Sequence, residues 1–67
     1  MRHWERFLAY VREHPGASTP EIAKAIGVNT GRASDVGWGL VPYGMVRADS
    51  GKLAHRSVTL WWPVEDR

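Results

Sequence analysis

The first stretch of the chain repeats apolar side chains at helical spacing. Four of them occupy positions i, i+3, i+4 and i+7 and share one helix face: Trp4, Phe7, Leu8 and Val11. The Arg and Glu residues between them are then left to face solvent. Because Pro15 disfavours helical geometry at the residue before it, we expect the first helix to run from Arg2 to Glu13.

A second helix start follows at once, in the segment Ser18-Thr19-Pro20-Glu21. The segment offers two alternatives for the N-cap: Ser18 paired with Glu21 in a capping box, or Thr19 with Pro20 at the first helical position. A short apolar face follows: Ile22, Ala23 and Ile26. Since Gly27 provides a left-handed helix terminus, the predicted helix is only about two turns long.

Asn29 or Thr30 can cap a third helix. Its apolar stripe has five members: Ala33, Val36, Gly37, Leu40 and Val41. The opposite, exposed side has five more: Gly31, Arg32, Ser34, Asp35 and Trp38. Glycines within this helix each cost about 1 kcal/mol relative to Ala, so its C-terminal end is expected to fray or tighten before Pro42.

The remaining residues have the pattern of a β-hairpin. Residues 45–48 predict a short strand, Asp49-Ser50-Gly51 a turn, and Ser57 to Trp62 the returning strand. Alternation puts Val58, Leu60 and Trp62 on one face of that strand, with Thr59 and Trp61 on the other. One of the two adjacent tryptophans is therefore expected to join the core, leaving the other for an external contact. The polar segment 52–56 has no clear pattern.

Composition narrows the function classes. At 67 residues the chain has room for one domain, 1–67, and scarcely for a substrate pocket. It has no Cys, its three His are scattered, and it has no phosphate loop or nucleophile–base pair, so we expect no metal site, no cofactor and no enzyme. No apolar run approaches the roughly 18 residues of a membrane span and no signal core is present, which predicts a complete cytoplasmic protein that contacts no membrane. The formal charge of +2 is by itself too small to indicate a nucleic-acid binder.

The order of helix, short helix, turn, helix and hairpin resembles that of a known family. Residues 20–46 resemble the winged helix-turn-helix family of DNA-binding domains, which implies an α+β fold of three helices with a C-terminal β-hairpin wing. Two stretches carry the resemblance: Pro20-Glu21-Ile22-Ala23-Lys24-Ala25-Ile26-Gly27-Val28-Asn29 and Tyr43-Gly44-Met45-Val46. The spacing between them is its most specific feature, and with helix one and the hairpin the resemblance spans nearly the whole chain.

The resemblance implies that the third helix enters the major groove of double-stranded DNA. The candidate contacts at its N-terminal end are Asn29, Thr30, Gly31, Arg32, Ser34 and Asp35. Arg32 can bind O6 and N7 of guanine with two hydrogen bonds, and Asp35 can accept from cytosine. Alternatively, Arg32 and Asp35 form only a solvated pair, Asn29 only a cap, and Gly31 lies in a loop outside the helix.

The predicted wing is locally positive. It contains one acidic residue, Asp49, and four basic ones: Arg47, Lys52, His55 and Arg56. Such a hairpin can neutralise phosphates beside the groove. Ordinary surface charge is the alternative. Trp38 either packs against the hairpin or remains an exposed anchor for DNA sugar or for a protein.

The resemblance therefore predicts a sequence-specific DNA-binding protein, a transcriptional regulator or repressor like the small ones that bacteria and phages encode. One module contacts few phosphates, so tight binding would call for a homodimer or cooperative neighbours. Two alternatives remain open: a non-specific architectural DNA binder, and a protein-interaction module that uses Trp38 and Trp61 as anchors. The fold leaves RNA binding as a more distant alternative.

Overall fold

The structure is a computed structural model that describes residues 2–64. Three helices come first along the chain and a hairpin last, with one very short strand between the first two helices. The elements in chain order are α1 (His3–Glu13), β1 (Ala17–Ser18), α2 (Thr19–Ile26), α3 (Thr30–Leu40), a 3-10 turn (Val41–Tyr43), β2 (Val46–Leu53) and β3 (Arg56–Pro63). None of the helices within residues 2–64 is long and apolar enough to cross a membrane.

Side-chain caps define the starts of α2 and α3. The Ser18 hydroxyl accepts a hydrogen bond from the Glu21 amide at 3.3 Å, and Asn29 Oδ1 accepts one from the Arg32 amide at 2.7 Å. Gly27 ends α2 in the left-handed conformation, with φ of 78°, which residues that carry a Cβ rarely adopt. The three helices predicted from the sequence are confirmed, and Ser18 and Asn29 are the N-caps of α2 and α3 among the alternatives. The capping box predicted for Ser18 and Glu21 is only half present in residues 2–64, because the Glu21 carboxylate accepts a hydrogen bond from Tyr10 instead of from the Ser18 amide.

The C-terminal end of α3 tightens instead of fraying. The 3-10 turn Val41–Tyr43 continues it, and Gly44 ends that turn with φ of 72°. Pro42 fits this turn because its position needs no helical N–H donor.

The sheet differs from the predicted hairpin in two respects. It has three antiparallel strands in the order β1-β3-β2, because Ala17 pairs with Trp61 and Ser18 with Leu60. The turn predicted at Asp49-Ser50-Gly51 is wrong: these residues continue β2, and the chain reverses at residues 54–55, between the paired residues Leu53 and Arg56. A Cβ added at Gly51 would overlap the side chain of Leu60, which would have to move to admit it.

Strand pairing divides the side chains of the hairpin between two faces. Ala48 pairs with Trp61 and Ser50 with Thr59, so these four residues share the face that packs against the helices. We call this the inner face, and the other, which carries Arg47 and Trp62, the outer face.

Trp61 is the centre of the core. It is fully buried, lies edge-on to Phe7 of α1 with ring centroids 5.3 Å apart, and contacts Trp38 of α3 at the same separation. Gly37 allows this packing, because a Cβ there would lie 2.6 Å from the Trp61 ring and 2.7 Å from Phe7. Of the two adjacent tryptophans, Trp61 is the one that joins the core, so the expectation that it could be an exposed anchor is wrong.

A buried hydrogen-bond relay fixes the sheet to α2. The Trp61 indole N–H donates to the Thr19 hydroxyl at 2.8 Å, and that hydroxyl donates to the Thr59 carbonyl at 3.3 Å. Both polar side chains are therefore satisfied inside the protein, as buried polar groups must be to avoid a desolvation cost. The relay holds β3, and with it the whole hairpin, against the N-terminus of α2.

Candidate nucleic-acid interface

The outer surface of α3 presents the predicted contact residues to solvent. Arg32 and Asp35 are exposed, and they are the only charged residues in the helix. On a helical projection Gly31, Asp35 and Trp38 lie on one narrow face, with Arg32 at its edge, on the side opposite the buried Ala33, Gly37 and Leu40. The Arg32 guanidinium and the Asp35 carboxylate are therefore available to an external partner.

The N-terminal end of α3 combines a cap with a small residue. Asn29 has its side-chain oxygen engaged by the Arg32 amide, so its principal role in this structure is capping. Gly31 lies within the first turn of α3, which makes the expectation that it is a loop glycine outside the helix wrong. The surface above it is open, because the nearest atom to an added Cβ would be Asn29 Oδ1 at 3.4 Å. Thr30 is exposed beside it and Ser34 is partly exposed one turn later.

The basic residues of the wing, the β2–β3 hairpin, are all exposed but do not share one face. Lys52 alternates with Ser50 and pairs with Ser57, so it continues the inner face on which α3 packs. Arg47 and Arg56 lie on the outer face, and His55 lies in the terminal turn. Lys52 is thus the wing cation on the same side of the sheet as α3.

Trp38 packs against the wing in the structure. The sequence left two alternatives for it, packing against the hairpin or remaining an exposed anchor. Its indole is 51% exposed and edge-on to Trp61, with the ring planes at 71°. Both alternatives therefore hold in part, because one edge of Trp38 packs on the hairpin and the remainder stays accessible. An open cleft of about 440 Å³, the Trp38 cleft, lies between this indole and residues 48–50 and 57–59.

A second surface was missed by sequence reasoning. Trp4, Gly39, Leu40, Tyr43 and Met45 line an open apolar depression of about 340 Å³, and Tyr43 is 78% exposed. The signal was present in the sequence, because residues 36–46 contain no charged side chain. We call this surface the Tyr43 patch.

The titratable groups of the described residues make one contact that shifts a pKa and form no metal-binding cluster. Within residues 2–64 no three His, Asp or Glu side chains are grouped closely enough to hold a metal ion. The pKa of Tyr10 is raised because its hydroxyl donates to the Glu21 carboxylate at 2.8 Å, and this bond joins α1 to α2 away from α3. It stabilises the helix pair and does not contribute to the candidate interface.

Comparison with known proteins supports the fold. No protein-family model matches the chain, and no curated protein matches it. A solved structure described as "the crystal structure of the transcriptional regulator SlyA" superposes with a TM-score of 0.75 over 94% of this chain, at 19% sequence identity. The chain spans 43% of the length of that protein. Together with three helices and a three-stranded antiparallel sheet, this likeness confirms the α+β winged-helix fold that the sequence predicted.

Proposed function

We propose that this chain binds double-stranded DNA, with α3 in the major groove and the wing on the adjacent backbone, and that it acts in transcription regulation. The observation that carries the proposal is the exposed α3 face, whose Arg32 and Asp35 are free to meet base edges. The likeness to a transcriptional regulator supports it in general terms.

Arg32 is the proposed base reader. Its guanidinium can donate two hydrogen bonds to guanine, while Asp35, three residues later on the same helix, can accept one from cytosine. Thr30 and Ser34 would bond flanking phosphates or bases, and the backbone at Gly31 would approach the groove closely. Asn29 would leave the first free amides of α3 open to a phosphate.

The proposed phosphate contacts come from the wing. Lys52 is favoured among its cations because it continues the sheet face on which α3 packs, and His55 and Arg56 lie near it at the tip. Arg47, on the outer face and nearer the base of the wing, would add to the long-range field. These residues would supply affinity without sequence preference.

The test is binding of labelled duplex DNA from the region upstream of the protein's own coding sequence, at two salt concentrations, compared with a scrambled duplex. Arg32→Ala should cost about 1–3 kcal/mol on the preferred duplex and little on the scrambled one. Lys52→Ala should weaken both equally and reduce the salt dependence by the equivalent of about one phosphate contact. Arg6→Ala, which removes an exposed arginine from α1, is the charge-matched control.

Other outcomes would point to other functions. Binding that is indifferent to sequence and to Arg32 would indicate an architectural DNA binder. Absence of duplex binding at low salt would overturn the proposal. A protein-interaction function would then be sought at the Tyr43 patch or at Trp38, since Trp61 is inaccessible.

A further inference from the structure

The Trp38 cleft pairs a half-exposed aromatic ring with hydroxyl groups. Trp38 is fixed along one edge by Trp61, so the indole does not need to be ordered before it packs on a ligand. The opposite wall contains Ser50, Ser57 and Thr59, all on the inner face of the hairpin. Within residues 2–64 no side-chain hydrogen bond engages these three hydroxyls.

The position of the cleft decides what would meet it, and this step rests on the proposed function. If α3 occupies the major groove and the wing follows the neighbouring backbone, the ridge between the two is one sugar–phosphate strand. The cleft lies between α3 and the wing, and so it faces that ridge.

The chemistry of the walls fits a sugar–phosphate strand better than a base edge. An indole offers a flat apolar surface for deoxyribose, and hydroxyls donate hydrogen bonds to phosphate oxygens. The lining contains no Lys or Arg, but Lys52 lies at its distal lip, because it pairs with Ser57 and follows Ser50 on the same face. Asp49 also borders the cleft, but it pairs with Leu60 and its side chain lies on the outer face, away from the proposed phosphate.

We propose that the Trp38 cleft binds the deoxyribose–phosphate backbone of one DNA strand, with Trp38 packed on the sugar and Ser50 or Ser57 bonded to phosphate. Trp38 then contributes affinity without sequence preference. It also carries no charge, so its contribution differs from that of a lysine in being independent of salt.

Fluorine NMR of the 5-fluorotryptophan-labelled protein tests this directly. The four Trp residues give four resonances, and Trp38→Phe identifies the one from Trp38. On addition of duplex DNA the Trp38 resonance should shift, while that of the buried Trp61 should shift less. The half-buried Trp4, beside the Tyr43 patch, is the internal control.

Binding measurements on variants provide the second readout. Trp38→Ala should weaken binding about five- to tenfold, equally on the preferred and scrambled duplexes, with an unchanged salt slope. Trp38→Phe keeps a ring against Trp61 and should lose less. Thermal melts identify variants that fail to fold, in which case Trp38→Phe replaces Trp38→Ala.

The outcomes separate this inference from the proposed function. If the wild-type protein binds no duplex, both are overturned. If it binds duplex DNA while the Trp38 resonance stays fixed and folded Trp38 variants bind normally, only the backbone cleft is overturned. If Trp38→Ala instead abolishes the preference between duplexes, Trp38 reads bases and the sugar contact is wrong.

Discussion

The two ends of the wing are built on different principles. At its base, Trp61 is enclosed by α1 and α3 and hydrogen-bonded to Thr19, so every part of the side chain has a partner. At its distal end, residues 52–57 are all exposed and are held by strand pairing alone. The base therefore determines where the hairpin stands, and the distal end is left to meet a ligand. Substitutions at the two ends should differ in a corresponding way.

The largest difference is expected from truncating one large side chain at each end. Trp61→Ala should cost about 3–5 kcal/mol in the free energy of unfolding, because it leaves a cavity between three elements. A domain of this size has only about 3–10 kcal/mol in total, so the variant should be partly or wholly unfolded.

Leu53→Ala is the distal counterpart. Leu53 is 55% exposed, and its truncation should change the free energy by less than about 0.5 kcal/mol. Urea unfolding followed by far-UV circular dichroism measures both variants. Equal losses would contradict the proposed division between base and distal end.

Adding one methyl group at a glycine sharpens the comparison. Gly37→Ala directs a Cβ against the Trp61 and Phe7 rings, which cannot both move away, and should destabilise by about 1–2 kcal/mol despite the better helix propensity of Ala. Gly51→Ala meets only the flexible side chain of Leu60 on the outer face and should be nearly neutral. Thermal melting of the pair distinguishes them, and a more stable Gly37→Ala would mean that the core is looser than described.

The hydrogen-bond relay from Trp61 to Thr19 should contribute less to the free energy of unfolding than the packing around Trp61. Thr19→Val keeps the shape but leaves the Trp61 N–H buried without an acceptor, which should cost about 1–3 kcal/mol. A double-mutant cycle with Trp61→Phe isolates the bond, because Thr19→Val should cost much less once the indole N–H is absent. Thr59→Val is the control, since only the backbone carbonyl of Thr59 takes part in the relay. Additive effects would show that the relay contributes nothing.

The helices and the base of the wing were predictable because local rules and packing agree there. The stripe ending at Val11, the caps at Ser18 and Asn29, and the terminus at Gly27 each indicated the element that forms. The two-residue strand β1 was missed because Ala17–Ser18 is too short to show a pattern. It exists only because β3 offers it a partner.

The candidate site was predictable in its residues and not in its geometry. Arg32 and the wing cations could be named from the sequence, whereas the division of the cations between two sheet faces depends on register. The turn predicted at Asp49-Ser50-Gly51 implied a different register from the observed one. These residues are typical of turns, but in the structure they pair with β3. The Trp38 cleft depends on the same pairing and could not be found without it.

The smallest effect is expected at the turn itself. Ala54 has φ of 58°, a left-handed conformation that favours glycine, so the tip of the wing stores strain that the sequence does not reveal. Ala54→Gly should relieve this strain. Part of the gain is offset because glycine has greater conformational freedom in the unfolded chain, so the free energy of unfolding should rise by about 0.5 kcal/mol. Chemical denaturation with several replicates can resolve this change, and a loss of stability would contradict the left-handed turn.

Because the turn holds His55 between the two strands, the same variant measured against duplex DNA tests whether a strained tip aids binding. If it does, Ala54→Gly should bind more weakly although it is more stable, and the distal end would then differ from the base in being shaped for contact at the expense of stability.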